Sequence, residues 1–225
     1  MKMTQQNVDW TVAQLESVYG EPEQNTRPKP MDNLISTILS QNTSDVNSRR
    51  AYKSLREHFP TWEDVYAAKP EAVAGAIRSG GLANQKSQRI KRVLEYVRTN
   101  NGSFDLEWIC GEDPYDIIDE FTGIKGIGVK TISIVLCFSC HQNVFPVDTH
   151  VNRICQRLGF VPEKSAPKKT FWTMEEYIPD GKARTFHLNV IHHGRTICKS
   201  KNPQCSECVL LTKCDYGQNS INNGN

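Results

Sequence analysis

The chain has 225 residues, of which 38% are hydrophobic and 23% charged, and its 27 basic and 25 acidic residues give a formal net charge of +2. A chain of this length can bury one large core or two modest ones. Because the charge is nearly neutral, any binding of nucleic acid must come from local patches. No stretch approaches the roughly 20 apolar residues of a membrane span, and residues 1–6 lack an apolar signal core. We therefore expect neither secretion nor membrane contact.

Almost every periodic segment has helical spacing. Thr61 opens one helix with a capping box, Pro70 lies in the first turn of the next, and Gly80 and Gly81 end it. A later helix carries an apolar stripe, made of Ile90, Val93, Leu94 and Val97. We expect its basic residues on the remaining faces, namely Lys86, Arg89, Lys91, Arg92 and Arg98. Since no run alternates with period two over the length of a strand, the sequence predicts a mostly helical fold.

Two glycines flank one apolar residue between two short apolar helices. Asp113-Pro114 starts the first helix, and the chain turns through Gly126-Ile127-Gly128 before a second helix begins near Val129. Such a turn exposes backbone N–H groups at a helix N-terminus, where they bind a phosphate without reading base sequence. A lone G-x-G is often only a turn, but in this setting it predicts a helix-hairpin-helix element.

Lys130 and Asp148 are the candidate reactive groups. Lys130 lies in the first turn of the second helix, where the helix dipole disfavours an ammonium; it is either a solvated lysine or a nucleophilic amine. Asp148 precedes a helical segment and is a natural N-cap. Its carboxylate could also stabilise positive charge on a sugar or help to deprotonate the lysine. The two interpretations of Asp148 are compatible, since a capping carboxylate keeps one oxygen free.

Four of the eight cysteines close the chain with the spacing C-x6-C-x2-C-x5-C. They are Cys198, Cys205, Cys208 and Cys214. The segment that holds them is polar and too short for a core of its own, so the pattern predicts a metal or metal-sulfur centre. For the other cysteines we predict ligation or packing rather than disulfides, with Cys137 and Cys140 packed in a helix.

Together these motifs resemble endonuclease III over roughly residues 30–214 and occur in that family's order. The resemblance implies an all-α fold of two helical lobes, with a DNA-binding cleft between them and a 4Fe-4S cluster on the four cysteines. It implies a six-helix, barrel-like domain at 32–142 and a cluster-bearing domain at 1–31 and 143–215. The Asn- and Gly-rich residues 216–225 are expected to form a disordered tail.

The activity implied by the resemblance is that of a bifunctional DNA glycosylase with abasic-site (AP) lyase activity. Lys130 would attack the sugar C1′ as a damaged base leaves, and the resulting Schiff base would permit β-elimination. Asp148 matches the family's catalytic aspartate. The implied partner is double-stranded DNA with an abasic site or a damaged base, an oxidised pyrimidine by preference, extruded from the stack. We expect a monomer in the cytoplasm, on the nucleoid if the source is bacterial or archaeal.

The resemblance also assigns DNA contacts. Gln41 would fill the space left by the extruded base, and Leu82 would wedge into the duplex; the plainer alternatives are a helix-end polar residue and a core residue. The loop that carries Lys199 and Lys201 is placed to hold a phosphate, although a solvated loop would have the same composition. The remaining predicted contacts are Gly126, Ile127, Gly128, Val129 and His150.

Several alternatives stay open. Lys125 stands where endonuclease III commonly has proline, and residues 102–108, 125–131 and 144–149 resemble Demeter-type 5-methylcytosine glycosylases. The base removed could therefore be another modified or mismatched one. Lys130 argues against a monofunctional glycosylase. Zinc is the alternative at the four cysteines, and a non-catalytic DNA-binding module is the alternative for the whole chain.

Overall fold

The computed structural model describes residues 1–23 and 26–222, which form α-helices joined by 3₁₀ turns and short loops, without a β-strand in these ranges. The prediction of an all-α fold is confirmed. None of the helices in the described ranges combines the length and the apolar character that a membrane crossing requires.

The helices belong to two compact units. Residues 27–141 form one, here called the hairpin unit, and residues 1–26 with 142–225 form the other, here called the terminal unit. The hairpin unit contains α2 (Pro30–Ser40), α3 (Asp45–His58), α4 (Trp62–Ala67), α5 (Pro70–Ala76), α6 (Ala83–Asn101), α7 (Pro114–Thr122) and α8 (Val129–Ser139). The terminal unit contains α1 (Gln5–Tyr19), α9 (Thr149–Arg157), α10 (Pro167–Glu175), α11 (Ala183–Thr196) and α12 (Asp215–Asn222). The barrel-like form and the cluster-bearing role that we assigned to residues 32–142 and to 1–31 with 143–215 stay predictions.

The core of the hairpin unit lies where α2 packs on α8 and α6 packs on α5. Leu34 and Ile38 of α2 and Ile132 of α8 are fully buried. The predicted apolar stripe of α6 is buried as well, with at most 1% of any of its side chains exposed. Each such side chain contributes about 1.5–3 kcal/mol through removal of apolar surface from water.

Local capping fixes where the functional helices begin. The hydroxyl of Thr61 and the carboxylate of Asp64 form the predicted capping box at α4. Asp113 caps α7 with its side chain and Pro114 takes the first position of that helix. These short side-chain contacts satisfy N–H groups that a helix cannot satisfy itself. The helix starts were therefore predictable from neighbouring residues alone.

The terminal unit is built on α11, which packs against α1 and α9. Phe145 stacks on Phe186 of α11 with ring centroids 4.9 Å apart. The backbone N–H of Phe145 donates to Glu175 Oε1 of α10 at 2.7 Å. The extended segment before α9 is thereby held on both sides, which fixes the position of Asp148 three residues later within this unit.

Cys110 and Cys140 are joined by a disulfide bond. The prediction against disulfides is therefore wrong for this pair, and Cys140 caps the C-terminal end of α8 instead of packing inside it. The 3₁₀ turn Glu107–Gly111 packs against α8, which brings the two thiols together across 30 residues of sequence. Cys137 is buried in α8 and is not part of a disulfide bond, so its predicted packing in the helix is confirmed.

The predicted disordered tail is wrong for residues 216–222, which continue α12. Gly217 is buried. Its backbone N–H donates to Cys214 Sγ at 3.4 Å, and a Cβ there would lie 3.1 Å from Leu211 Cδ1. The Arg157 guanidinium lies 4.4 Å from the centre of the Tyr216 ring. These contacts offset the low helix propensity of the segment. Residues 223–225 of the predicted tail lie outside the described residues.

Candidate functional site

The glycine turn of the hairpin unit forms a tight connection between α7 and α8. Its apolar residue Ile127 is 4% exposed, and its N–H donates to Ile124 O at 3.0 Å. Gly126 has φ +102°, a conformation that side chains disfavour. A Cβ at Gly126 would also lie 2.7 Å from Arg89 Cγ. Two independent constraints therefore require glycine at this position.

The N-terminus of α8 is open to an anion. Gly128 is its N-cap, and no side chain caps it. Gly126 and Gly128 are exposed, so the first N–H groups of the helix are accessible. Free N–H groups and the positive end of the helix dipole together favour a phosphate. The assignment of Gly126, Ile127, Gly128 and Val129 as DNA contacts stays a prediction.

Lys130 is exposed in the first turn of α8. Its ammonium makes no hydrogen bond or ion pair within the described residues, and a nucleophile needs that freedom. The next residue, Thr131, is buried and accepts a hydrogen bond from Gln41 Nε2 at 3.1 Å. Gln41 Oε1 in turn accepts from Arg89 Nη1 at 2.5 Å. Gln41 is thus fixed beside the helix that carries Lys130.

Leu82 is placed at the surface. It is 46% exposed, so its alternative interpretation as a core residue is wrong. Its φ of 49° puts it in the left-handed region, which costs a non-glycine residue free energy. An exposed apolar side chain held in a strained conformation is a feature that clusters at ligand-binding loops. Its role as a wedge stays a prediction.

Lys86 is the residue that connects the Gln41 and Leu82 loops. The expectation that it lies on a polar face of α6 is wrong, because its side chain is completely buried. Its Nζ donates to Leu39 O at 2.7 Å and to Gly80 O at 2.8 Å, two carbonyls just before Gln41 and Leu82. Burial lowers the pKa of Lys86, and the charge of Arg89 lowers it further.

One signal in the sequence could have located this buried lysine. Lys86 precedes Ile90 by four residues, and Ile90 precedes Leu94 by four, so all three share one face of α6. A lysine in line with an apolar stripe is buried unless its stem reaches solvent.

In the terminal unit Asp148 caps α9. Its Oδ1 accepts from the N–H of Val151 at 2.8 Å, which bears out the capping interpretation. Its Oδ2 accepts no hydrogen bond from residues 1–23 or 26–222, so the second oxygen is free for chemistry. His150 is held by Arg153, whose Nη2 lies 3.2 Å from its Nδ1. The catalytic role of Asp148 and the DNA contact of His150 stay predictions.

The four C-terminal cysteines line one small cavity. In the described part of the chain no three His, Cys, Asp or Glu side chains are grouped to hold a metal ion. A four-iron cluster takes one thiolate on each iron, so its ligands stand farther apart than those of a single zinc ion. Burial raises the pKa of Cys208 to about 11 and that of Cys214 above its usual value, so metal binding must displace their protons.

Donors of hydrogen bonds already surround these sulfurs. Arg157 Nη1 donates to Cys198 Sγ at 3.2 Å, and the Gly217 N–H donates to Cys214 Sγ. Donors of this kind stabilise thiolates and tune iron-sulfur clusters. The cavity and its donors are therefore better suited to bind a cluster than to hold four unligated thiols.

His193 supplies a further contact to the cysteine cavity. Its Nε2 lies 3.4 Å from Cys208 Sγ, and its Nδ1 lies 2.9 Å from the hydroxyl of Tyr19. Burial lowers the pKa of His193 to about 4, so the imidazole is neutral near pH 7. If the tyrosine hydroxyl donates to Nδ1, the single imidazole proton is on Nε2 and points to the sulfur.

The predicted phosphate loop between Cys198 and Cys205 is anchored by Arg157. The Nη1 of Arg157 donates to Lys199 O at 2.7 Å and its Nη2 to Ser200 O at 3.1 Å. Lys199 and Lys201 are exposed. The loop backbone is fixed while both ammonium groups are accessible to solvent, an arrangement that suits contact with a phosphate. The DNA contacts of Lys199 and Lys201 stay predictions.

Comparison with known proteins adds three findings. The HhH-GPD family profile, described as a superfamily of base excision DNA repair proteins, matches residues 35–180. The chain is 33% identical over 195 residues to Endonuclease III of Thermotoga maritima, and the match covers 87% of each chain. It superposes on a solved structure of a non-covalent Endonuclease III–DNA complex with a TM-score of 0.81 and 27% identity, covering 98% of this chain and 99% of that one.

Two plant relatives are matched over smaller parts of their length. The chain is 39% identical over 170 residues to a putative DNA glycosylase of Arabidopsis thaliana, of which it covers 58%. It is 28% identical over 172 residues to DEMETER-like protein 2 of the same plant, of which it covers 13%. The second resemblance seen in the sequence is therefore confined to a small part of a much larger protein.

The buried contact of Lys86 predicts a large loss of stability on its removal. We expect Lys86→Met to lower the free energy of unfolding by about 2–3 kcal/mol, because two carbonyls buried beside it lose their donor. Arg92→Met, which removes an exposed cation two turns along the same helix, should cost less than about 1 kcal/mol. Urea unfolding monitored by circular dichroism measures both. An equal loss in the two variants would contradict the assigned role of Lys86.

Proposed function

The chain belongs to the HhH-GPD superfamily of base excision DNA repair proteins and is a DNA glycosylase and AP lyase of the endonuclease III type; we propose that its substrate is an oxidised pyrimidine in double-stranded DNA. The resemblance to endonuclease III drawn from the sequence is confirmed. The observation that carries the mechanism below is the exposed, unpartnered ammonium of Lys130, which directly follows the uncapped N-terminus of α8.

Binding begins with the sugar-phosphate backbone. The free N–H groups at Gly128 and Val129 hold one phosphate, and this contact is independent of base sequence. Leu82 enters the duplex as an apolar wedge, and Gln41 occupies the space that the extruded nucleotide leaves. Extrusion costs a few kcal/mol of stacking and pairing, least for a damaged base.

Lys130 is the nucleophile. Its neutral amine forms a bond to the sugar C1′ while the bond from C1′ to the base breaks, and the base leaves with the electron pair and takes up a proton. Opening of the sugar ring gives a Schiff base between Nζ and C1′. Loss of a proton from C2′ then expels the 3′ phosphate by β-elimination, which nicks the strand.

Asp148 acts through the carboxylate oxygen that capping leaves free. As a carboxylate it stabilises the positive charge that develops on the sugar when the base departs. It also serves as a base for the ammonium of the nucleophile. Its other oxygen keeps α9 in place, so one side chain supports both the fold of the terminal unit and the reaction.

The four C-terminal cysteines hold a 4Fe-4S cluster in this proposal. Support comes from the cavity that all four line and from the donors Arg157, Gly217 and His193 around their sulfurs. When bound, the cluster supplies a covalent cross-link that orders residues 198–214. The loop with Lys199 and Lys201 then presents two cations to a DNA phosphate, and His150 adds a contact from α9.

A second candidate substrate is a modified cytosine such as 5-methylcytosine. The match to DEMETER-like protein 2 favours it, but that match covers a small part of the relative, and the endonuclease III match covers most of both chains. A non-catalytic binding module would need neither Lys130 nor the free oxygen of Asp148. We also propose that the protein is a monomer in the cytoplasm, on the nucleoid if it is bacterial or archaeal.

The nucleophile is tested by borohydride trapping on a duplex with one thymine glycol. We expect a covalent complex with the unmodified protein and none with Lys130→Gln, because the amide cannot form a Schiff base. Lys125→Gln, which removes an exposed lysine of the same hairpin, is the matched control and should still trap. Binding of Lys130→Gln to the duplex should stay close to that of the unmodified protein.

The possible results test three parts of the proposal separately: the base removed, the nucleophile and the enzymatic activity. Trapping only on a preformed abasic site would support the lyase activity and show that the enzyme removes a base other than thymine glycol. Trapping by Lys130→Gln would overturn the assignment of the nucleophile, and no trapping on either substrate would leave a binding module.

Asp148→Asn separates capping from chemistry. Asparagine caps helices as well as aspartate does, so we expect an unchanged melting temperature. Loss of the charge should slow base release by about 100-fold or more, the range of a catalytic acid or base. Single-turnover base release and thermal unfolding measure the two effects. If Asp148→Asn melted early and its base release per folded molecule were normal, Asp148 would be a cap alone.

Metal analysis tests the cluster. We expect iron and acid-labile sulfide in equal amounts in protein purified without air, with a broad visible absorbance. Cys208→Ala should lose both, since each thiolate binds one iron. Cys137→Ala, which removes a buried thiol of the hairpin unit, should retain them. One zinc per chain without sulfide would establish the alternative metal centre.

A further inference from the structure

Three basic residues of α6 contact the DNA-binding segments assigned above. Lys86, Arg89 and Arg92 follow one another at spacings of three residues, so they form a stripe along the helix. Lys86 holds the carbonyls before Gln41 and Leu82, and Arg92 Nη1 donates to Lys125 O of the hairpin at 3.2 Å. None of the three forms a salt bridge with a carboxylate in residues 1–23 or 26–222.

Arg89 is the member of the stripe that contacts a functional side chain. Its Nη1 donates to Gln41 Oε1 at 2.5 Å. Its stem packs closely against Gly126 of the hairpin, where a Cβ would be 2.7 Å from Cγ and 2.8 Å from Nε. The half-buried guanidinium, bonded to Gln41 and with its stem against Gly126, is therefore placed to orient the Gln41 side chain.

The chemistry of these contacts fixes which way the Gln41 amide points. A guanidinium has only donors, so the amide atom that faces Arg89 must be the carbonyl oxygen. Nε2 therefore faces Thr131, whose hydroxyl oxygen accepts at 3.1 Å. One N–H and one lone pair of the amide are left for the DNA. Thr131 follows Lys130 directly, so the orientation of Gln41 is set relative to the helix of the nucleophile.

We propose that Arg89 is a positioning residue that holds the amide of Gln41 in one orientation, ready to fill the space of an extruded nucleotide. The inference rests on the proposed function, because it takes Gln41 as the residue that fills this space. In this arrangement one N–H and one lone pair of the Gln41 amide stay available to the base left without a partner. The entropic cost of ordering the glutamine is thereby met before DNA binds.

A double-mutant cycle on an abasic-site substrate tests the inference. Arg89→Met keeps a stem of similar length against Gly126 but removes the donor to Gln41. We expect single-turnover nicking of an abasic duplex to slow by about tenfold, as for loss of a hydrogen bond from a charged donor. Nicking of a single-stranded abasic oligonucleotide should not change, because it has no opposite strand and no gap to fill. In a Gln41→Ala background, Arg89→Met should have no further effect.

The matched control is Arg92→Met, which removes a cation one turn away without touching Gln41. It should change nicking of duplex and single strand by the same factor. Thr131→Val, which removes the acceptor for Nε2 at nearly constant volume, gives a second route to the same selective loss on duplex. Melting temperatures confirm that each variant is folded at the assay temperature.

Two results would overturn the inference. Arg89→Met could slow the nicking of duplex and single strand by the same factor, the result expected for Arg92→Met. It could also keep its effect in the Gln41→Ala background. Either result would make Arg89 a phosphate contact. If the unmodified protein failed to nick the abasic duplex at all, the proposed function would fail and the inference with it. If the unmodified protein nicks the abasic duplex but the effects of Arg89→Met and Gln41→Ala are additive, the inference is overturned and the proposed function stands.

Discussion

The buried ammonium of Lys86 is the interaction on which the hairpin unit depends. Taking a cation out of water is costly unless it is hydrogen-bonded. Here the bonds come from Leu39 O at the end of α2 and from Gly80 O in the following 3₁₀ turn. Carbonyls at a helix C-terminus carry partial negative charge and lack intrahelical donors. One side chain therefore satisfies two helix ends and joins the loops that carry Gln41 and Leu82.

Several other positions that support the fold also belong to the proposed site. Gly126 is required by a positive φ and by the stem of Arg89, and the same turn leaves the N-terminus of α8 open to a phosphate. Asp148 caps α9 with one oxygen and leaves the other free. In the terminal unit Arg157 anchors the loop backbone and also donates to Cys198 Sγ. A substitution at such a position changes stability and activity together, so each needs a variant that separates the two.

The proposed mechanism assigns the common chemistry of the family and the choice of base to different parts of the molecule. In the proposed mechanism Lys130, the hairpin and Asp148 act on sugar and phosphate, which every nucleotide shares. A base is selected by contacts to its edges and by the ease of its extrusion. In the proposed mechanism the loops that carry Leu82 and Gln41 act on the second of these, because the two side chains would replace the stacking and the volume that the extruded base leaves. Changes in those loops would alter selectivity while the reaction stays the same.

The sequence by itself determined the features that depend on neighbouring residues. The capping box of α4, the glycine turn, the start of α8 before Lys130 and the cap at Asp148 follow from short-range hydrogen bonds and steric limits. The spacing of the four cysteines likewise identified them as one group before any fold was known. Only the tertiary structure decided the contacts between distant segments. These are the burial of Lys86, the chain from Arg89 through Gln41 to Thr131, the Cys110–Cys140 bond and the packing of α12. Composition cannot show which polar groups meet when helices pack, because that depends on the three-dimensional positions of whole helices rather than on local preference.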